Sequence, residues 1–271
     1  YTRTVSCFSN EILDGFVKLE NKVAEGNYQP PPHVFAVAQR TVLDPCDHII
    51  LVNGDSGSGK TEATKGLLKY IARSQPGANK DCLLNCNPLL ESFGNAKTLR
   101  NENSSRFGKF IKVWSEREPN GEILGIEIKI YLLEQSRITD HKEGERRYHI
   151  FYQLAAGMLQ NNPDLTPYHR KVWEKLETYI EITKPILSSE EWTKDLRQDE
   201  HKQLGVTLRS MEAVGLSQDE AVNVLRIVLA TAAVRAIYIP TPKDENDERA
   251  ISIDKGQIEV AAKIMGVDTD A

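Results

Sequence analysis

Residues 54–65 read GDSGSGKTEATK, and residues 101–110 read NENSSRFGKF. Gly54, Gly59, Lys60 and Thr61 satisfy the spacing G-x-x-x-x-G-K-[ST] of a phosphate-binding loop. Gly54, Gly57 and Gly59 permit backbone angles and a close approach that a Cβ obstructs. The successive amides of the loop, those of Asp55, Ser56 and Ser58 included, then face an anion together with the positive end of a helix dipole. Lys60 reaches the β- and γ-phosphates in such a loop, and the Thr61 hydroxyl ligates Mg²⁺. The second segment supplies Asn, Ser and Arg side chains at a spacing suited to magnesium and γ-phosphate contacts. Alone it reads as a polar loop entering a strand. Beside the first, it points to a nucleoside triphosphate.

The elements that must position these residues are legible around them. Residues 48–52 (His-Ile-Ile-Leu-Val) form an apolar, β-branched run of the buried-strand kind. Residues 60–73 read as a helix with Ala63, Leu67, Leu68 and Ile71 on one side. Residues 109–116 alternate as a strand, Pro119-Asn120-Gly121 make a turn, and residues 122–133 alternate back. Three zones follow along the chain. Residues 1–45 are helical and end in a helix over 33–43, after Pro30-Pro31-Pro32. Residues 46–160 form the nucleotide-binding centre. Residues 161–271 are helix-rich, strongest over 204–214 and 217–238, with Ser217-Gln218-Asp219-Glu220 as a capping-box start. The polar run 240–249 reads as a surface loop.

Several ordered blocks resemble the head of a myosin. GDSGSGKTEATK resembles the family's GESGAGKTE-x-TK, with Asp55 for the usual Glu and Ser58 for the usual Ala. Residues 87–98 (NPLLESFGNAKT) resemble the NPxLEAFGNAKT stretch, and NENSSRFGKF resembles switch I. Residues 31–36 (PPHVFA), 132–137 (LLEQSR) and 145–154 (ERRYHIFYQL) resemble further family blocks. In kinesins, the nearest rival, the switch I arginine is followed by Ser-His, whereas Phe107-Gly108-Lys109 stand here. The match weakens over 161–271; where myosins have L-x-L-G-N, residues 229–234 read LATAAV. An unrelated P-loop kinase or GTPase would leave these blocks unexplained, and no guanine-specifying N-K-x-D is present.

The resemblance implies an α/β fold: the P-loop NTPase core of a myosin-type head, part of a central twisted sheet with flanking helices, plus a helix-rich region. It implies ATP as substrate with Mg²⁺. By resemblance Ser105 joins Thr61 on the metal, Asn101 and Asn103 contact the phosphates, and Ser104 helps hold the γ-phosphate and the attacking water. Arg106 pairs with the glutamate of switch II, a partner not visible in these residues. The resemblance further implies an actin-based motor ATPase in the cytoplasm and on the cytoskeleton, with actin as partner and light chains or calmodulin outside this chain. The switch II motif DIxGFE is expected beyond Ala271, and Tyr1 suggests a start partway into a longer polypeptide. The 271 residues by themselves are therefore expected to lack turnover and to fold poorly. A non-motor nucleotide-binding scaffold is the alternative, prompted by the departure at residues 229–234.

Composition narrows the classes. At 40% apolar and 27% charged the sequence is ordinary for a globular protein, with enough length for a sizeable core. A net charge of −5 without a clustered basic patch argues against a nucleic-acid partner. No apolar run approaches a membrane span. Cys7, Cys46, Cys82 and Cys86 lack zinc-site spacing; Cys82 and Cys86, four apart on a helix, read as buried thiols. The six histidines form no metal motif. His149 reads as a core residue, Trp114, Trp173 and Trp192 as packing groups, and Glu134, Arg137, Glu145 and Arg146 as structural ion pairs.

Overall fold

The computed structural model describes residues 8–77, 79–116, 118, 121–159, 166–237 and 255–268. They fall into two compact units, Tyr1–Glu134 and Gln135–Ala271. The first contains helices α1 (Asn10–Lys18), α2 (Glu20–Ala24), α3 (Val34–Leu43), α4 (Lys60–Ser74) and α5 (Lys80–Gly94). Strands β1 (Asn95–Thr98), β2 (Asn101–Ser105), β3 (Gly108–Ser115) and β4 (Ile123–Tyr131) follow.

His33 caps α3 after the prolines, its Nδ1 accepting from the Phe35 N–H at 3.0 Å. The helix expected over 33–43 is therefore present. α4 matches the helix expected from Lys60 and is buried on two sides. Leu67 and Tyr70 join Leu13, Phe16, Phe35 and Val42 in one cluster; Leu68 and Ala72 join Leu83 and Ile123 in another. Large apolar side chains buried this fully contribute about 1.5–3 kcal/mol each, so the helix behind the phosphate loop has a firm base. Two polar side chains in that core are paired: the Tyr70 hydroxyl donates to Glu20 at 2.5 Å, and Gln39 donates to the Phe16 carbonyl at 2.8 Å.

β3 and β4 form the expected antiparallel hairpin, in register from Gly108 opposite Tyr131 to Trp114 opposite Gly125. Its Ile111, Val113 and Ile126 face the Leu68–Leu83 cluster. Pro119 and Asn120 of the expected turn lie outside the described residues, as does the polar run 240–249. β1 and β2 form a second antiparallel pair, Asn95 opposite Ser105. The segment that reads as a polar loop is thus half of a hairpin.

Residues 48–52 depart from expectation. They take no strand assignment, and Ile49 and Leu51 are 92% and 86% exposed. A buried strand needs hydrogen-bonded neighbours and apolar cover on both faces. Among the described residues none supplies them; only Val52 packs against the core. Among the described residues the strands form two separate two-stranded pairs.

The second unit is helical: α6 (Ser136–Thr139), α7 (His149–Leu159), α8 (Pro167–Leu187), α9 (Glu190–Thr193), α10 (Glu200–Ala213), α11 (Gln218–Ala236) and α12 (Lys255–Met265). α7 is buried nearly all round. α11 opens on the expected capping box between Ser217 and Glu220. It then runs unbroken through residues 229–234, burying Leu229, Ala230, Ala232 and Ala233, so the altered sequence there does not end the helix. The compact units cut across the three sequence zones: α3 from the first zone packs on α4 from the second.

Candidate functional site

The loop before α4 has the backbone its sequence requires. Gly59 stands at the N-cap with φ 89° and no side-chain cap, which leaves the first turn of α4 open to an external acceptor. Gly54 has φ 154°, and a Cβ there would lie 2.6 Å from Ser58 Oγ. The turn closes through the Ser58 N–H, which donates to the Asp55 carbonyl at 3.2 Å. Lys60 folds back across the loop, its ammonium donating to the Gly54 and Asp55 carbonyls at 2.6 and 2.7 Å. An uncapped helix start, a glycine cradle and an ammonium brought over it fit a polyphosphate. Ser56, Gly57 and Thr61 lie in the same loop and first helical turn, as the motif places them.

The second segment presents its side chains by strand alternation. Asn101, Asn103 and Ser105 share one face of β2, and Ser104 points to the other, where it is buried. Asn101 Oδ1 accepts from the Asn103 N–H at 3.0 Å. Ser105 Oγ donates to the Phe107 carbonyl at 3.1 Å. The hydroxyls of Thr61 and Ser105 are hard, neutral oxygens of the kind Mg²⁺ takes alongside phosphate oxygens. That donor set fits the metal.

Arg106 does have a carboxylate partner here, contrary to expectation. Its Nε pairs with Glu134 Oε2, and its Nη1 donates to Ser104 Oγ at 3.3 Å. The backbone makes this possible: the Arg106 N–H donates to the Gly94 carbonyl at 2.9 Å, and the Glu134 N–H donates to the Arg106 carbonyl at 3.0 Å. Phe107 lies against Gly94, where a Cβ would come within 2.3 Å of the ring.

A polar chain connects the loop helix to β2, and sequence reasoning misses it. Lys65 on α4 pairs with Glu91 Oε1 on α5 at 2.8 Å. Glu91 Oε2 accepts from Asn103 Nδ2 at 3.2 Å, and Asn103 Oδ1 accepts from Asn95 Nδ2 at 3.0 Å. Burial disfavours the Lys65 charge, but Glu91, helped by Glu62, overrides this and holds its pKa above the ordinary lysine value. Lys109, which donates to Asn87 at 2.6 Å, is held below its ordinary value by burial, against the pull of Glu91. The only signal for Lys65 and Glu91 was their presence inside the matched blocks; nothing in their spacing says that they meet.

The remaining groups are structural. His149 is buried in α7, and burial, then Arg146 and Arg197, lower its pKa to about 3. Cys86 is a buried thiol raised to about 11 by burial; Cys82 is half-buried. Cys7 lies outside the described residues. Trp192 packs with Phe151 and Tyr152, whereas Trp114 is exposed beneath Lys112. Arg137 pairs with Glu145 at 3.0 Å and Arg146 with Glu200 at 2.5 Å, so Glu134 alone of the four faces the site. A cavity of about 740 Å³ in the second unit, lined largely by Ile138, Ile227, Ala230, Val234 and Ile264, contains none of the phosphate-binding candidates. Among the described residues no His, Cys, Asp or Glu cluster could hold a metal ion, and no helix is long and apolar enough to cross a membrane.

Comparison with known proteins gives the motifs their setting. A family model for the myosin head (motor domain) matches residues 4–271. The chain is 34% identical over 278 residues to Myosin-1 of Neurospora crassa, covering 98% of this chain and 21% of that relative. It is 36% identical over 276 residues to Myosin-1 of Emericella nidulans, covering 98% and 20%. Unconventional myosin-Ic of Mus musculus is 34% identical over 250 residues, covering 89% and 22%. The chain therefore spans about a fifth of the length of these relatives. With the loop, the strand facing it in sequence order and the whole length of the match in agreement, the chain belongs to the myosin head (motor domain) family.

Proposed function

We propose that this chain carries the phosphate-binding side of a P-loop ATPase core that drives an actin-based motor. One observation carries the reading: a single compact unit holds both the loop 54–61 and the strand Asn101–Ser105, joined through Lys65, Glu91 and Asn103.

ATP binds with its β- and γ-phosphates against the amides of residues 54–61. Lys60 exchanges its two carbonyl partners for phosphate oxygens. Thr61 and Ser105 would hold Mg²⁺, which would supply charge neutralisation for the phosphates. Asn101 and Asn103 bound the phosphates from the β2 side. Ser104, whose hydroxyl accepts from Arg106, orients the attacking water through its main chain, and Arg106 closes the pocket over it. Catalysis of this kind is positioning and electrostatic stabilisation, so the groups must be fixed before the nucleotide arrives. The two-sided burial of α4 and the hairpin pairing of β2 support that requirement.

In such a motor, switch I couples γ-phosphate occupancy to actin affinity by a change of order and position. Actin binding, a cytoskeletal location in the cytoplasm, and light chains or calmodulin elsewhere on the protein come with the family. The non-motor alternative rested on residues 229–234; the continuous α11 there offers it no support.

The test is nucleotide binding by the full-length protein. Lys60→Ala is expected to abolish binding of a fluorescent ATP analogue and, with it, actin-activated turnover. Binding equal to that of the parent sinks the assignment of the loop.

A further inference from the structure

Glu91 belongs to no phosphate or metal motif, yet it stands at the junction of the elements that carry both proposed magnesium ligands. Its side chain is 17% exposed, and the carboxylate is engaged on each oxygen: Oε1 by the ion pair with Lys65 at 2.8 Å, Oε2 by the Asn103 amide at 3.2 Å. Lys65 lies four residues after Thr61, one turn along the same face of α4. Asn103 lies two residues before Ser105, on the same face of β2. The bridge Lys65–Glu91–Asn103 therefore joins the two elements one step behind each hydroxyl. A further bond, Asn95 Nδ2 to Asn103 Oδ1 at 3.0 Å, fixes the Asn103 amide orientation from β1, so Nδ2 is the atom turned to Glu91. The bridge is anchored in the fold, since Asn95 is buried and α5 packs on α4 through Leu83 and Leu68.

From this geometry we propose that Glu91 is a positioning residue for Mg²⁺: through Lys65 and Asn103 it sets the separation of the Thr61 and Ser105 hydroxyls. This rests on the reading of those two hydroxyls as metal ligands. Mg²⁺ demands near-ideal octahedral geometry at short distances and tolerates misplaced ligands poorly. Two hydroxyls from separate elements satisfy it only where something fixes one element against the other. Groups that orient metal ligands without touching the metal commonly govern about 10- to 100-fold of its affinity.

Two variants separate positioning from a plain field effect. Glu91→Gln removes a negative charge, and Lys65→Met removes a positive one. If only the field matters, the first weakens Mg²⁺ binding and the second strengthens it. If the bridge positions the hydroxyls, both weaken it.

The measurement uses the full-length protein with a fluorescent ATP analogue titrated with Mg²⁺, and the same analogue in EDTA for metal-free affinity. Both variants are expected to raise the Mg²⁺ midpoint about 10-fold or more, with metal-free affinity changed far less. Glu91→Asp, which keeps the charge and shortens the reach, is expected to raise it too and serves if either other variant fails to fold. Opposite responses of Glu91→Gln and Lys65→Met, or an unchanged midpoint in folded Glu91→Asp, overturn the proposal. Thr61→Ala and Ser105→Ala test the reading beneath it. If neither shifts the midpoint, the ligand assignment fails first and takes this inference with it.

Discussion

Arg106 is the residue whose surroundings carry the clearest consequence. Its guanidinium is shared between Glu134 and Ser104, and the two partners of the ion pair are 29% and 30% exposed. Pairs with that much solvent contact contribute about 0–1 kcal/mol. Glu134 therefore orients Arg106 without committing it, and a second carboxylate approaching with the nucleotide bound can take the arginine over at small cost. Arg106→Ala in the full-length protein should cost at most about 1 kcal/mol of stability and change nucleotide affinity little. Single-turnover hydrolysis should slow by about 100-fold, the usual scale for one preorganised polar group. An unchanged hydrolysis rate would sink the role. Lys60 and Thr61 are candidates on local spacing, and Arg106 takes its role from the family resemblance. Glu134 as partner of Arg106, and Glu91 as partner of Asn103, were not legible in the sequence. Those contacts span 28 and 12 residues, and the turns between decide them.

At the scale of elements, the β1–β2 hairpin shows why part of the site escaped the sequence. Residues 95–105 hold few β-branched or aromatic side chains, so propensity argues against strands there. Pairing across the turn, Asn95 opposite Ser105 and Ala96 opposite Ser104, supplies what propensity lacks. The hairpin is further held at its base, where the Gly94 carbonyl accepts from Arg106 and Phe107 rests on the Gly94 Cα. Gly94 ends α5 and has no room for a side chain. Gly94→Ala must push the Phe107 ring aside, an overpacking that commonly costs about 1–3 kcal/mol. The strain falls on the junction between α5 and the hairpin, so a lower melting temperature should come with slower hydrolysis. Gly94→Ala paired with Phe107→Leu, which frees ring volume, should recover part of the stability. No recovery would place the cost elsewhere than in this contact.

The whole chain presents an imbalance that neither the motifs nor the helices correct. Residues 48–52 have the composition of a buried strand, yet alternate outward at Ile49 and Leu51 and inward only at Val52. The β3–β4 hairpin adds Phe110, Leu124 and Ile130, all about half exposed or more, and Leu132 beyond it is 93% exposed. The helices and the hairpin were legible because each buries its apolar stripe against a partner within these residues. The run 48–52 was misread because a strand is defined by neighbours, and its pattern says nothing about whether they are at hand. Exposed apolar segments with unpaired backbone favour association. Expressed as these 271 residues, the chain should self-associate at micromolar concentration, seen as a concentration-dependent mass by light scattering after gel filtration. Ile49→Ser with Leu51→Ser should lower that mass without loss of helical signal, since neither side chain contributes to the core. The same pair in the full-length protein should instead destabilise it, provided further strands and helices cover the segment there. A monodisperse, cooperatively melting parent chain would show that this surface is tolerated as it stands.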